Sequence, residues 1–106
     1  MTQTRPTILI ADDDPLSRLF VRNALEPAGM TVAEATGGQD ALVKFEALAP
    51  DLVVLDIMMP DMDGFEVCAV LKSREETAHI PVIMVTALDT PEERIRGLEA
   101  GADDFL

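Results

Sequence analysis

The chain has no tryptophan, no tyrosine and one cysteine, Cys68. A single thiol rules out an internal disulfide and the disulfide-stapled design of small secreted domains. Basic residues are also scarce, with 8 Lys and Arg against 20 Asp and Glu for a formal net charge of −12. That balance leaves no basic stripe for a phosphate backbone, which argues against direct nucleic-acid binding, and an anionic membrane surface would repel it. No apolar run approaches the roughly 20 residues of a spanning helix. The first residues, MTQTRPTILIADDD, lack the long apolar core of a secretory signal. These absences together point to a soluble protein in a reducing cytoplasm. No glycine- or serine-rich linker, repeat or low-complexity tract divides the 106 residues, and 48% of them are hydrophobic, enough to bury one core.

What is present is an alternation of short apolar runs and amphipathic stretches. Residues 7–11, TILIA, read as a buried strand that ends abruptly in Asp12, Asp13 and Asp14. Pro15 suits a first helical turn, and the stretch to about Leu25 sets Leu16, Leu19, Phe20 and Asn23 on one side, with Arg18 and Arg22 on another. Pro27 and Gly29 stop it. Met30 to Ala35 predicts a second strand, Gly37-Gly38 a turn, and Asp40 to Leu48 a second helix whose apolar face carries Ala41, Leu42, Phe45 and Leu48. Leu52 to Leu55, LVVL, has the continuous apolar character of a central parallel strand covered on both faces, and delivers Asp56 at its end. A third helix follows Gly64 with Phe65, Val67, Cys68 and Leu71. Residues 81–85 form a fourth strand ending at Thr86, Pro91-Glu92-Glu93 opens a fourth helix, and Phe105-Leu106 begins a fifth strand.

Four strand–helix alternations with short connections predict a doubly wound α/β fold, a parallel sheet with helices on both faces. Ligands of such sheets sit beyond the carboxyl ends of the strands, where the strand order reverses. Asp12, Asp13, Asp56 and Thr86 all fall at such ends. Carboxylates gathered about 4 Å apart repel by about 4 kcal/mol per pair at an effective dielectric of 20, so a cation belongs among them. Hard oxygen ligands that leave room for water and phosphate suit magnesium, with Asp13 and Asp56 as the direct ligands. A carboxylate screened by a cation can also accept a phosphoryl group, and Asp56, on the central strand, is the candidate, with the Thr86 hydroxyl as a donor to the phosphoryl oxygens. Taken alone, Asp12 to Asp14 would read as a helix-capping cluster and Thr86 as a turn residue.

The segments ILIADDDP, VVLDIMMPDMDGFEV, VIMVTAL and GLEAGADDFL, in this order and spacing, closely resemble the receiver domains of two-component response regulators, and the resemblance spans essentially the whole chain. It implies a flavodoxin-like five-stranded sheet of order 2-1-3-4-5. It also implies phosphorylation of Asp56, and magnesium, or manganese in its place, held by Asp12, Asp13, Asp56 and the backbone carbonyl of Met58. Thr86 and Phe105 would be the switch pair, the hydroxyl moving to the phosphoryl group as the aromatic turns inward. The donor implied is a sensor histidine kinase or a histidine phosphotransfer protein, and the output is read on the fourth helix and fifth strand near Ile95, Leu98 and Phe105. A further output domain and a phosphorylation-dependent homodimer are expected on the same ground. One departure stands out: the family's lysine follows the fifth-strand aromatic by two or three residues, and the sequence stops at Leu106. Lys44 and Lys72 lie in predicted helices and do not replace it. The expectation is therefore a receiver domain over residues 1–106 whose last strand and final helix are cut short, within a longer parent protein.

Two other functions compete for the same residues. A phosphohydrolase of the haloacid-dehalogenase type needs a second acid two positions after its nucleophile. That position is Met58 after Asp56; after Asp12 it is Asp14, but Leu16 stands where a Thr is needed. A receiver-like binding module that no longer accepts phosphate has only the missing lysine in its favour. Asp61 and Asp63 before Gly64 suggest a calcium loop, yet aligning the glycine puts Met59 and Val70 at its first and last ligand positions, so they read as a turn. His79 reads as a surface residue and Cys68 as helix core. Met58, Met59 and Met62 read either as an adaptable partner surface, the favoured reading, or as filling around the site, and Met58 and Leu88, apolar beside the phosphoryl group, predict slow self-dephosphorylation.

Overall fold

The computed structural model describes residues 5–85 and 91–105, apart from the side chains of residues 93, 94 and 105. The strands are β1 (Thr7–Ala11), β2 (Thr31–Ala35), β3 (Leu52–Asp56), β4 (Val82–Val85) and β5 (Asp104–Phe105). Between them run α1 (Pro15–Leu25), α2 (Gly38–Leu48), α3 (Gly64–Ser73) and α4 (Pro91–Ala100), with a short 3-10 turn at Glu26–Ala28. The sheet has the order β2-β1-β3-β4-β5, and every pairing is parallel. This is the doubly wound α/β arrangement, with the order reversing between β1 and β3.

The alternation along the strands decides which helix goes where. Leu9, Ala11, Val53, Leu55, Val82 and Met84 point to one face, where they meet Ala41 and Phe45 of α2, Val67, Cys68 and Leu71 of α3 and Ala100 of α4. On the opposite face Ile8, Ile10 and Val32 pack with Val21 and Leu25 of α1. The expectation for β3 is thus half corrected: Val53 and Leu55 are wholly buried, while Leu52 and Val54, on the α1 side, are only partly covered.

Helix α1 shows the main departure. The side expected to face inward is outside, with Leu16 73%, Leu19 50% and Phe20 77% exposed, and Asn23 exposed as well. The helix instead turns Val21 and Leu25 to the sheet, and on that side both arginines are bonded to the edge strand. Arg18 Nε donates to Glu34 at 2.9 Å, and Arg22 donates to Glu34 at 2.7 Å and to the Val32 carbonyl at 3.2 Å.

Smaller differences have similar causes. Gly38 belongs to α2 and is not part of a turn, because Asp61, far along the chain, accepts the N–H groups of Gly38 and Gln39 at 3.0 Å each and caps the helix from across the fold. Leu48, expected inside, is 45% exposed at the end of that helix. β2 begins at Thr31, β3 extends to Asp56, and β5 is Asp104–Phe105. Of the three methionines near Asp56, only Met58 is strongly exposed, at 64%, whereas Met59 lies in the core and Met62 packs against it. His79 is exposed and Cys68 fully buried, as expected. No helix among the described residues is long and apolar enough to cross a membrane.

Candidate functional site

The functional site is assembled from two neighbouring strand ends. β1 runs out at Ala11, and the next peptide is held to the edge strand by the Asp12 N–H, which donates to Ala35 O at 3.1 Å. The three adjacent acids then divide their tasks. Asp14 caps α1, accepting from the Leu16 N–H and the Ser17 hydroxyl at 3.0 Å each. Asp12 accepts the Asp14 N–H at 2.9 Å, leaving a second carboxylate oxygen free of that bond. Asp13 is exposed. Asp56 is the last residue of β3, half-buried, and the Met58 N–H donates to its Oδ1 at 3.4 Å.

Ligand-capable oxygens of Asp12, Asp13 and Asp56 all lie within 4.8 Å of one another. No other group of three such side chains stands together among the described residues. Burial drives the Asp56 pKa up, the neighbouring charges of Asp12 and Asp13 push further in the same direction, and the Met58 N–H partly opposes them; the result is about 6 against an ordinary 3.8. An acid raised in this way is one whose charge lacks a partner. The chemistry of the donor set, three hard oxygens open to solvent on one side, fits a small divalent cation.

The loop after β3 is pinned to the two helices that flank it. Its two further acids are both helix caps: Asp63 accepts the Glu66 N–H at 2.9 Å at the start of α3, and Asp61 caps α2. The calcium-loop reading is thereby closed, since both carboxylates are already engaged. Asp61 is held below its ordinary pKa by the N–H groups of Gln39 and Gly38.

Beside the acids opens a cleft of about 470 Å3 lined by Asp13, Met58, Met59, Pro60, Phe65 and Arg96, among others. Arg96 reaches across from α4, its guanidinium 4.3 Å from the centre of the Phe65 ring and 3.9 Å from Asp63. A larger cavity, about 740 Å3, lies at the opposite pole of the sheet among Asp51, Arg74, His79 and Pro81, and holds none of the clustered acids.

Asp12, Asp13 and Asp56 are thus brought together as expected, and Met58 opens the loop beside them. Thr86 and Leu88 lie outside the described residues, and of Phe105 only the backbone is described, paired in register with Met84. Lys44 is engaged with Glu34 O and Asp40, and Lys72 with Ala78 O, Ile80 O and Asp103. Neither is available to the acids. Sequence reasoning missed the supporting roles of Arg18, Asp61 and Arg96. Only Arg18 carried a local signal, its i, i+4 spacing with Arg22, and the partners of all three lie on other elements.

Comparison with known proteins agrees with this geometry. Residues 8–106 match the family model described as the response regulator receiver domain. The DNA-binding dual master transcriptional regulator RpaA of Synechocystis sp. is 46% identical over 95% of this chain and 42% of its own length. Response regulator PleD of Caulobacter vibrioides is 44% identical over 93% of this chain and 22% of its own. The chain therefore spans less than half of these relatives. Among solved structures, chemotaxis protein CheY4 of Vibrio cholerae superposes with a TM-score of 0.93 at 30% identity, covering 97% of this chain and 86% of that one. The BeF3-activated N-terminal receiver domain of Klebsiella pneumoniae RstA gives 0.88 at 32% identity, covering 94% and 83%. With the strand order, the acidic pocket and the family match in agreement, the chain belongs to the response regulator receiver domains of two-component signalling, phospho-accepting switches rather than enzymes.

Proposed function

We propose that Asp56 is the residue that accepts the phosphoryl group and that Asp12, Asp13, Asp56 and the Met58 carbonyl hold the divalent cation, Mg2+ or Mn2+ in its place. The observation that carries this reading is the convergence of three carboxylates within 4.8 Å at the reversal of strand order, with Asp56 on the central strand and raised to about 6. When bound, the cation screens the approach of an anionic phosphodonor to an anionic acceptor. A carboxylate oxygen of Asp56 forms the new bond to phosphorus as the bond from phosphorus to the donor's imidazole nitrogen breaks. The freed imidazole keeps the electron pair and takes a proton from water. Thr86 donates its hydroxyl to the transferred group, and Phe105 follows it inward.

The donor is a sensor histidine kinase or a histidine phosphotransfer protein in the cytoplasm. The response is read on α4 and β5, where Ile95 is 55% and Leu98 66% exposed, apolar groups suited to a phosphorylation-dependent homodimer or an effector. Relatives more than twice the length of this chain support an output domain in the parent protein. The domain itself, over residues 1–106, supplies the switch.

Intact mass after incubation with acetyl phosphate, with and without Mg2+, tests the assignment on the wild type and on Asp56→Asn. A magnesium-dependent gain of one phosphoryl mass, absent from the variant, is expected. An equal gain in Asp56→Asn moves the acceptor elsewhere, and no gain either in this chain or in a version extended past Leu106 replaces the switch with a phosphorylation-independent binding module.

A further inference from the structure

The acid cluster has a support that none of its own residues provides. The peptide joining Asp12 to Asp13 is anchored at its carbonyl, where Arg18 Nη1 donates to Asp12 O at 2.7 Å. The same guanidinium donates through Nε to Glu34 Oε1 at 2.9 Å, and Glu34 takes Arg22 on its other oxygen at 2.7 Å. The Arg18 side chain is only 14% exposed. On the other side of Asp12, its N–H is bound to Ala35 O. The peptides on both sides of Asp12 are therefore fixed, one by the edge strand and one by α1.

We infer that Arg18 is a positioning residue for the metal-binding acids, holding the Asp12–Asp13 peptide in the orientation that aims both carboxylates at a shared cation. The inference rests on the proposed cation site. Its physical basis is the planar fork of the guanidinium, which bonds the Asp12 carbonyl and the Glu34 carboxylate at once and so ties the start of α1 to the edge of the sheet. Two effects of Arg18 oppose each other. Its positive charge repels a cation, which would make a neutral substitute bind metal more tightly. Its hydrogen bond preorganises the ligands, which makes a substitute bind more weakly. Glu34, shared with Arg22, and Glu26, bonded to Arg22 at 3.1 Å, together balance the two guanidinium charges, so the loss of preorganisation decides the sign.

Calorimetric titration with Mg2+ is the test, since the chain has no tryptophan or tyrosine to report binding by fluorescence. Arg18→Ala is expected to weaken Mg2+ binding about tenfold, the scale of lost support behind a ligand. Arg22→Ala removes a neighbouring bond to the same Glu34 but leaves the link from Arg18 to Asp12, so it is expected to lose stability with no change in Mg2+ affinity. Should Arg18→Ala fail to fold, Arg18→Lys serves instead. One ammonium does not span both acceptors, and an affinity between wild type and the tenfold loss is expected. Wild-type or tighter affinity in a folded Arg18 variant overturns the inference, as does an equal loss in Arg22→Ala. Absence of Mg2+ binding in the wild type overturns the cation site itself, a separate and recognisable outcome.

Discussion

Gly64 packs directly against the backbone of Asp56. A β-carbon added to Gly64 would stand 2.5 Å from Asp56 O and 3.0 Å from the Ile57 α-carbon, and the Gly64 N–H donates to Ile57 O at 3.0 Å. The start of α3 is thereby pressed onto the end of β3, and the acceptor carboxylate takes its place from that contact. No flexible side chain is present to yield.

Gly64→Ala is accordingly expected to shift the β3 end. Overpacking against backbone of this kind destabilises by about 1–3 kcal/mol. Displacement of Asp56 should slow phosphorylation by acetyl phosphate by about tenfold or more. Chemical unfolding followed by circular dichroism and intact-mass time courses check the two parts; wild-type rates in the variant contradict the positional role.

The Asp56 pKa gives a pH prediction with a definite sign. In the metal-free fold this carboxyl keeps its proton to about 6, whereas in the unfolded chain it ionises near 3.8. The folded state binds the extra proton between those values, so the contribution of Asp56 is fully favourable below the lower value and is lost as pH rises through the upper one. Asp56→Asn should therefore raise the melting temperature of the metal-free protein at neutral pH. A divalent cation needs the carboxylate, so Mg2+ affinity should weaken as pH falls below about 6. Titrations at about pH 7.5 and about pH 5 that give one affinity would contradict this assignment.

Asp61 joins the loop beside the site to the start of α2. Its carboxylate, held below the ordinary range by the Gln39 and Gly38 N–H groups, contributes stability above the unfolded pKa of 3.8 that is lost as pH falls. Asp61→Ala is expected to lower the melting temperature at neutral pH and to narrow its gap from the wild type in acid. A constant gap across pH would show that the cap is not charge-dependent.

Lys72 serves the other pole. Its ammonium donates to Ala78 O at 3.1 Å, Ile80 O at 2.8 Å and Asp103 at 2.8 Å, and Asp103 also accepts the Val82 N–H at 2.8 Å. Lys72→Met should destabilise by about 2 kcal/mol in urea unfolding while leaving magnesium-dependent phosphorylation unchanged. Loss of phosphorylation in a folded variant would link this lysine to the acids after all.

Met58, largely exposed beside Asp56, offers no strong hydrogen-bond acceptor to an attacking water. Replacement of both apolar residues, as Met58→Asn with Leu88→Glu, should speed decay of the phosphorylated protein severalfold. Loss of the added mass with time measures it, and an unchanged half-life refutes the idea.

The fold and the acids were legible in the sequence because each rests on a local signal. Apolar β-branched runs mark strands, proline and glycine bound the helices, and Asp12, Asp13 and Asp56 follow directly on runs that parallel strand geometry must bury. The order of strands came from the resemblance, which carries information that periodicity does not. Where local reasoning failed, a distant partner was responsible. The α1 stripe of Leu16, Leu19 and Phe20 faces outward, and the helix meets the sheet through Val21 and Leu25, with Arg18 and Arg22 bonded to Glu34 and the β2 backbone. Gly38 became helical because Asp61 arrived from more than 20 residues away. Sequence by itself determined which residues are apolar, which acids end strands and, through Pro15 and Pro91, where α1 and α4 begin. Tertiary structure alone decided how far α1 is rotated, which acids cap and which remain free, and the pKa of Asp56, because those depend on distances between groups that the chain order leaves far apart.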